Sequence, residues 1–174
     1  MDTAICTTIK SISRDEWEAC RSSRAGGDPF LSYDFFFLLE TSNSVGPKTG
    51  WIPFYIIFKE KHIVVGIIVS FLKNHSQGEY VFDHSWADAY ERSGGNYYPK
   101  LQVAVPFTPV SGERILVQSE YEDKVGEMIS SAKKLVEENN LSSLHITFCS
   151  KSFVSVAKKN NLLVREGIQY HWSN

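Results

Sequence analysis

Residues 51–72 read WIPFYIIFKEKHIVVGIIVSFL, two apolar runs separated by a short charged segment. The runs, residues 51–58 and 63–72, are rich in β-branched and aromatic side chains, which favour strands. The intervening KEKH is short enough to join two antiparallel neighbours. The stretch therefore predicts a hairpin of two long strands.

The segment before this hairpin predicts one strand and two helices. Residues 3–10 alternate weakly between apolar and polar side chains, as a first strand would. Residues 13–16, SRDE, form a capping box and predict a short helix that ends near Arg21. Ser32 is placed to cap a second helix, which is apolar over much of its surface and is expected to be buried.

The segment after the hairpin alternates between helical and strand patterns. Asp83 can cap a helix that Gly94 and Gly95 end, and residues 119–122 form a second capping box. Pro106 cannot donate to a ladder, so its strand is predicted to lie at an edge, to bulge, or to leave its neighbour there. The predicted elements are helix 84–93, strand 100–107, long helix 119–139, strand 144–149, helix 150–159 and strand 164–172.

This order predicts one domain, over residues 1–174, of the α/β (α+β) class. We expect a mixed, mainly antiparallel central sheet with helices on both faces. With 174 residues, 43% of them hydrophobic, the chain is long enough to bury a core of its own. We find no internal repeat and no low-complexity linker.

Charge and cysteine content exclude several classes of protein. A net charge of -2 gives no specific signal for nucleic-acid binding, which needs a basic face. Cys6, Cys20 and Cys149 are odd in number and lack C-x-x-C spacing, so we expect neither a disulfide framework nor a zinc site. His62, His75 and His145 show no helical i, i+4 pairing for a metal. We predict no metal.

The same sequence predicts a cytoplasmic protein without a membrane span. The N-terminus, MDTAICTTIKSI, has an acid where a signal peptide has a base, and it lacks an apolar core. The most apolar run, residues 64–72, is roughly half the length that a membrane-spanning helix needs.

Residues 78–100, GEYVFDHSWADAYERSGGNYYPK, mix large aromatic side chains with carboxylates. The stretch is either an amphipathic helix between two strands or the wall of a ligand cleft. A helix that begins after Asp83 places Trp86 and Tyr90 on one face and pairs Asp88 with Arg92 on another. Both interpretations stay open for Asp83, which serves as an N-cap or as a functional carboxylate.

The residues that follow supply further candidates for ligand contact. In a strand, Tyr98 and Lys100 point the same way and Tyr97 points opposite. We expect Tyr98, Lys100, Thr108 and His171 to meet a ligand, although an exposed strand lysine is the commoner role for Lys100. The segment PFTPVSG, residues 106–112, either offers its backbone to an extended ligand or ends a strand edge.

Three stretches resemble a bacterial family. They are PFLSYDFFFLLETSNSVGPKTGW at residues 29–51, HSQGEYVFDHSWADAYERSGGNYYPKLQVAVPFTPVSGERIL at residues 75–116, and GIQYHWSN at residues 167–174. They are similar to the FemAB-like group of N-acyltransferases in the GNAT superfamily, a group linked by name to peptidoglycan biosynthesis or recognition. The predicted element order also matches the GNAT fold.

The resemblance implies transfer of an acyl or aminoacyl group to an amine, with acyl-CoA or aminoacyl-tRNA as donor and a small molecule or peptide as acceptor. It implies a cleft walled by Asp83, Trp86, Asp88, Tyr90, Tyr98, Lys100, Pro106, Thr108 and His171. Attack by an amine needs a base and oxyanion donors. Asp83 and His171 are the candidate catalytic bases, and the backbone N–H groups of residues 104–107 are the candidate donors.

Two departures from the family keep other functions open. Its members are longer, with two GNAT-like halves, and this chain resembles the first half. The GNAT pyrophosphate pattern Q/R-x-x-G-x-G/A is absent before the long helix, where the chain reads TPVSGERILVQSE. The alternatives are a non-catalytic half that binds a peptide or cell-wall precursor, a half that needs a second GNAT-like half, and an interaction protein that forms a homodimer.

Overall fold

The computed structural model describes residues 1–168, 170 and 172. Its strands and helices, in chain order, are β1 (Asp2–Cys6), α1 (Arg14–Ala25), α2 (Tyr33–Thr41), β2 (Trp51–Pro53), β3 (Tyr55–Glu60), β4 (Ile63–Ile68), β5 (Ser70–Lys73), α3 (His84–Arg92), β6 (Lys100–Val103), β7 (Ile115–Val117), α4 (Val125–Glu138), β8 (Leu144–Ile146) and α5 (Lys151–Lys159).

The predicted hairpin is confirmed and runs through two sheets. β3 and β4 pair around the KEKH connection. The same two runs continue as β2 and β5, which pair with each other beyond a break at Phe54 and Val69. One sheet has the order β1-β3-β4-β7 and the other β2-β5-β6-β8. Every pairing is antiparallel except β6 with β8, which confirms the mixed, mainly antiparallel prediction.

Strands β6 and β7 lie in line with each other, and a loop separates them. β6 pairs with β5 and β7 pairs with β4, both antiparallel, so the two lie in line beside the same arm of the hairpin. Residues 104–114, which we call the 104–114 loop, leave this course between them. The strand therefore leaves its neighbour before Pro106, the third of the predicted alternatives.

Helices cover both faces of the sheets, as predicted. Side chains alternate along β3, so Tyr55 and Ile57 face one core and Ile56 and Phe58 face another. The first core is closed by α1 and α2 around Trp17, whose indole N–H donates to the carbonyl oxygen of Leu31 at 2.9 Å. The second core is closed by α4 and α5.

The first two caps are correct, because Ser13 forms the capping box with Glu16, and Ser32 accepts the N–H of Phe35. The cap predicted at residues 119–122 is wrong. The Ser119 hydroxyl donates to neighbouring Glu120 and caps no helix. A 3-10 helix occupies residues 119–124, and α4 begins only at Val125.

Other element boundaries also differ. The first strand is Asp2–Cys6, and α1 runs to Ala25 rather than ending near Arg21. The described residues of the predicted last strand, 164–168, 170 and 172, form no strand. Ile168 and Tyr170 are almost fully exposed, so this alternating segment lies off the sheet. Among the described residues, no helix is both long and apolar enough to span a membrane.

Candidate functional site

The start of β6 carries a buried charged cluster. The Lys100 side chain is fully buried, and its Nζ donates to Oε2 of Glu79 at 2.8 Å and to Oδ2 of Asp83 at 2.7 Å. It also donates to the Ser76 hydroxyl at 2.9 Å. Three acceptors use all three N–H bonds of an ammonium group. We call Ser76, Glu79, Asp83 and Lys100, together with Tyr97 and Tyr98, the Lys100 cluster.

Strand register places a second buried lysine beside this cluster. Lys73 on β5 is the direct partner of Lys100 on β6. Its Nζ lies 3.9 Å from the ring centroid of Trp51 and donates to the backbone carbonyl of Gln77 at 3.2 Å. Burial lowers the pKa of Lys73 to about 8, because the charged form loses hydration.

Two tyrosines close the cluster. The Tyr97 hydroxyl donates to Oδ2 of Asp83 at 2.8 Å, and the Tyr98 hydroxyl hydrogen-bonds to that of Ser76 at 2.8 Å. Their ring centroids lie 5.3 and 5.6 Å from Nζ of Lys100. The expectation that the two tyrosines face opposite sides is therefore wrong. Strand alternation does not apply to them, because β6 begins only at Lys100.

The two carboxylates of the cluster have pKa values shifted in opposite directions. Burial alone would raise the pKa of Asp83, but the hydrogen bonds that it accepts from Lys100 and Tyr97 outweigh burial and lower the pKa to about 2. Burial raises the pKa of Glu79, and the hydrogen bond and charge of Lys100 offset this only in part. Nearby His145 has a pKa lowered to about 4 by burial and by the charge of Lys100.

Each carboxylate also has one buried oxygen that is not engaged. Oε1 of Glu79 and Oδ1 of Asp83 have no hydrogen-bond partner among the described residues. The two residues are only 4% and 3% exposed. A buried oxygen without a donor is costly, so these two atoms are candidates for contact with a bound group.

The sequence-predicted residues on α3 lie outside this cluster. Trp86, Asp88 and Tyr90 are exposed, and Ala87 is the buried residue of the helix. Asp83 occupies the N-cap position without a side-chain cap bond, so its interpretation as a capping side chain is wrong. Arg92 Nε donates to the backbone oxygen of Asp88 at 3.2 Å.

Pro106 and Thr108 lie on the 104–114 loop. Pro106 is buried, and the Thr108 hydroxyl donates to its carbonyl oxygen at 3.0 Å. Phe107 between them packs against Trp51, with ring centroids 5.5 Å apart. Because Trp51 covers Lys73, this aromatic contact connects the loop to the strand partner of Lys100.

The backbone N–H groups that are candidate oxyanion donors differ in whether they already have a hydrogen-bond acceptor. The N–H of Ala104 donates to the carbonyl of Val69 at 3.3 Å. Within the described part of the chain, the N–H groups of Val105 and Phe107 have no hydrogen-bond partner. Val105 is buried, so its N–H is a fixed donor without an acceptor.

The structure thus brings Asp83, Tyr98 and Lys100 together, and it places the other described candidates on α3 or the 104–114 loop. His171 lies outside the described residues. Sequence reasoning missed Lys73, Ser76 and Glu79 as site residues. Pairing the hairpin with β6 in register would have put Lys73 opposite Lys100, but no sequence signal sets that register.

Two surface pockets lie elsewhere. One of about 310 Å³ is lined by Ala25, Gly27, Asp28, Ser111, Gly112 and Glu113. Another, of about 400 Å³, is lined by Ala19, Ser22, Gln118, Ser119, Glu120 and Glu122. Among the described residues, no group of three His, Cys, Asp or Glu side chains is placed to hold a metal ion.

The family model of FemAB-like proteins, described as peptidoglycan biosynthesis/recognition, matches residues 8–174. The chain belongs to the FemAB-like family. A comparison with curated proteins finds no match.

Solved structures of acetyltransferases have a similar fold. A ribosomal-protein-alanine N-acetyltransferase from Brucella melitensis biovar Abortus 2308 is 11% identical, with 100% of each chain covered and a TM-score of 0.53. An aminoglycoside 6'-N-acetyltransferase, AAC(6')-Ig from Acinetobacter haemolyticus, is 13% identical over 100% of this chain and 99% of that chain, with a TM-score of 0.55. Aminoglycoside N-acetyltransferase AAC(6')-Iy in complex with CoA is 12% identical over 99% and 95%, with a TM-score of 0.56. These likenesses show that this FemAB-like chain has the GNAT acetyltransferase fold.

Proposed function

We propose that this protein is an N-acyltransferase that moves an acyl or aminoacyl group to an amine acceptor in cell-wall precursor metabolism. The observation that carries the proposal is the acetyltransferase fold, which extends over the whole chain of a FemAB-like family member. The cell-wall role is supported by the description of the family. The three cysteines are free, which favours a reducing cytoplasm as the compartment.

Acyl-CoA is the proposed donor, with aminoacyl-tRNA as the alternative. The CoA bound to AAC(6')-Iy supports acyl-CoA. Attack on a thioester or aminoacyl ester develops negative charge on the carbonyl oxygen, which a fixed N–H stabilises. The buried, unpaired N–H of Val105 is the proposed donor to that oxygen.

On the acceptor side, Asp83 and His171 are the proposed catalytic residues. With a pKa of about 2, Asp83 stays ionised near neutral pH and captures a proton only weakly. In this proposal Asp83 therefore orients the acceptor amine through a hydrogen bond, and Lys100 holds Asp83 in place. His171 is the proposed base: it takes the proton that the amine loses on forming the new amide bond, and that proton passes to the departing CoA thiol or tRNA hydroxyl. The proposed acceptor contacts are Trp86, Asp88, Tyr90, Tyr98, Pro106 and Thr108.

Donor binding tests this function. A ligand at about 100 times its dissociation constant stabilises a protein by about 2.7 kcal/mol, which raises the melting temperature of a chain of this size by several degrees. We expect that rise with millimolar acetyl-CoA, and none with pantetheine at the same concentration. An unchanged melting temperature removes CoA as the donor and leaves aminoacyl-tRNA to be tested by transfer.

A specific observation favours a second function, binding of a peptide or cell-wall precursor without catalysis. β6 and β8 are parallel. The 104–114 loop, which follows β6, pairs with the residues that follow β8 through a parallel bridge between Gly112 and Cys149. Arg114 Nε donates to the carbonyl of Thr147 at 2.8 Å, and the N–H of Gly112 donates to that of Phe148 at 3.0 Å. The region beyond the ends of β6 and β8 is therefore occupied by the protein's own chain and is not open to a donor molecule.

The 400 Å³ pocket also supports this second function. The negative charge of two glutamates in its lining, Glu120 and Glu122, disfavours a phosphate-bearing donor there. A second GNAT-like half or a homodimer would then supply donor binding. Donor binding by the purified chain alone would rule out this alternative.

A further inference from the structure

Strand β8 has an open outer edge. It is the last strand of its sheet, and among the described residues it pairs with β6 alone. In that parallel ladder the N–H of Thr147 donates to the carbonyl of Val103 at 3.1 Å. Because successive residues of a strand form their backbone hydrogen bonds on opposite sides, the N–H groups of Leu144 and Ile146 point away from β6. They are positioned to pair with a further strand.

This edge also lacks the features that prevent strands from pairing. The strand at the opposite edge of the same sheet, β2, contains Pro53, which cannot donate to a ladder. β8 contains neither proline nor lysine. Its Leu144 and Ile146 side chains are only half-buried against the second core, whereas every residue of neighbouring β6 is buried. β8 is therefore an unprotected edge with apolar surface still in contact with solvent.

The segment after α5 has the pattern of a strand that could complete this edge. Residues 164–172 read VREGIQYHW, and in an extended chain Val164, Ile168 and Tyr170 would share one face. Ile168 is 87% exposed and Tyr170 is 94% exposed. Large apolar side chains that are exposed on one face of a segment indicate a contact surface.

The edge and the segment complement each other, but they do not pair within one chain, since the described residues of the segment form no strand. A second copy offers the same edge and the same segment. The Val164, Ile168 and Tyr170 side chains of two copies would bury roughly 1,000 Å², and the surfaces that they cover would bury about as much again. Stable dimers bury about 1,200–2,000 Å², so a mutual exchange is large enough.

We propose that two copies of this protein form a dimer by exchanging strands, with segment 164–172 of each copy paired to the outer edge of β8 in the other. The N–H groups of Leu144 and Ile146 donate to carbonyl groups of the incoming strand. Its Ile168 and Tyr170 side chains lie beside Leu144 and Ile146 and extend the second core. The dimer does not rest on the proposed function, because it uses backbone pairing and apolar burial alone.

Two measurements on the full chain, made together, test the dimer. Light scattering after size-exclusion chromatography gives the mass, and amide hydrogen exchange followed by NMR gives the protection of Leu144 and Ile146. We expect the mass of two chains at about 100 µM, because interfaces of this size bind with micromolar affinity or better. We also expect both amides to be protected, because each donates to the exchanged strand.

Variants of the exposed side chains assign the interface. Ile168→Asp and Tyr170→Asp should each give the mass of one chain and make the amides of Leu144 and Ile146 exchange about tenfold faster or more. Both side chains are exposed in the single copy, so circular dichroism should show an unchanged fold. Leu38→Asp, at an α2 leucine that is 63% exposed, is the matched control and should remain a dimer.

Other results would overturn the proposal. The mass of one chain with both amides protected would mean that the segment pairs with β8 of its own chain. The mass of one chain with both amides unprotected would mean that the edge stays open. A dimer that persists in Tyr170→Asp, or that leaves the two amides unprotected, would use another surface. Acyl transfer is not part of this test, so its presence or absence does not affect the result.

Discussion

Replacement of Lys100 by methionine should lower the stability of the protein more than any other single change in the Lys100 cluster. The change keeps an unbranched apolar chain but removes the ammonium group that two buried carboxylates share. Loss of one partner from a buried ion pair costs about 3–5 kcal/mol, because the remaining charge is left without compensation. Here two carboxylates lose their donor, so we expect at least the middle of that range, about 4 kcal/mol.

Urea unfolding followed by circular dichroism measures this loss, and a thermal scan should show a melting temperature lower by about 10 °C. Lys134→Met is the matched control. Lys134 forms an exposed pair with Glu138 at 3.5 Å, and such pairs contribute about 0–1 kcal/mol. The control should therefore be close to the wild type.

The cause can be separated from a packing defect. Adding Glu79→Gln and Asp83→Asn to Lys100→Met removes both uncompensated charges, so the triple variant should recover part of the lost stability. Acidification should act in the same direction, because protonated carboxyls no longer carry the buried charge. A loss below about 1 kcal/mol for Lys100→Met would refute the reasoning.

Three further predictions concern stability. Burial lowers the pKa of His145 from 6.5 to about 4, so its contribution to stability is full above pH 6.5 and is lost as the pH falls toward 4, by about 3 kcal/mol in total. The free energy of unfolding, measured with urea from pH 7 to 4, should therefore depend less steeply on pH for His145→Gln than for the wild type. Equal slopes would contradict this. Gly78→Ala should destabilise the protein by about 1–3 kcal/mol, because Gly78 has φ +77 and a Cβ at this position would lie 2.7 Å from the Phe107 ring. An unchanged urea midpoint would count against that contact. Ser13→Ala should cost about 1 kcal/mol, because it removes the hydrogen bonds that the Ser13 hydroxyl forms with the carboxylate and the backbone N–H of Glu16. A free energy of unfolding within about 0.3 kcal/mol of the wild type would show that the cap contributes little.

Local signals in the sequence predicted most of the framework. The hairpin over residues 51–72, the caps at Ser13 and Ser32, and the position of α3 depend on neighbouring residues, which a sequence shows directly. The mixed, mainly antiparallel sheet followed from element order. The strand predicted at residues 164–172 does not form in the described residues of that segment, because alternation specifies a strand only where a sheet edge pairs with it.

The candidate site was predicted only in part, for a related reason. Asp83, Tyr98 and Lys100 lie together, but the ion pairs that join Lys100 to Asp83 and Glu79 depend on how the loop between β5 and α3 folds back onto the start of β6. Glu79 lies in that loop, outside any periodic pattern. Its role becomes visible only in the hydrogen-bond geometry.

Acyl transfer itself is the most direct test of function. The purified chain is incubated with acetyl-CoA, and in a parallel reaction with aminoacyl-tRNA, in the presence of Nα-acetyl-lysine amide, and the products are identified by mass spectrometry. We predict an acylated side-chain amine from one of the two donors, with far less product from Asp83→Asn. No acylated product from either donor, with a folded chain and a bound amine, would contradict the assignment of this protein as an N-acyltransferase.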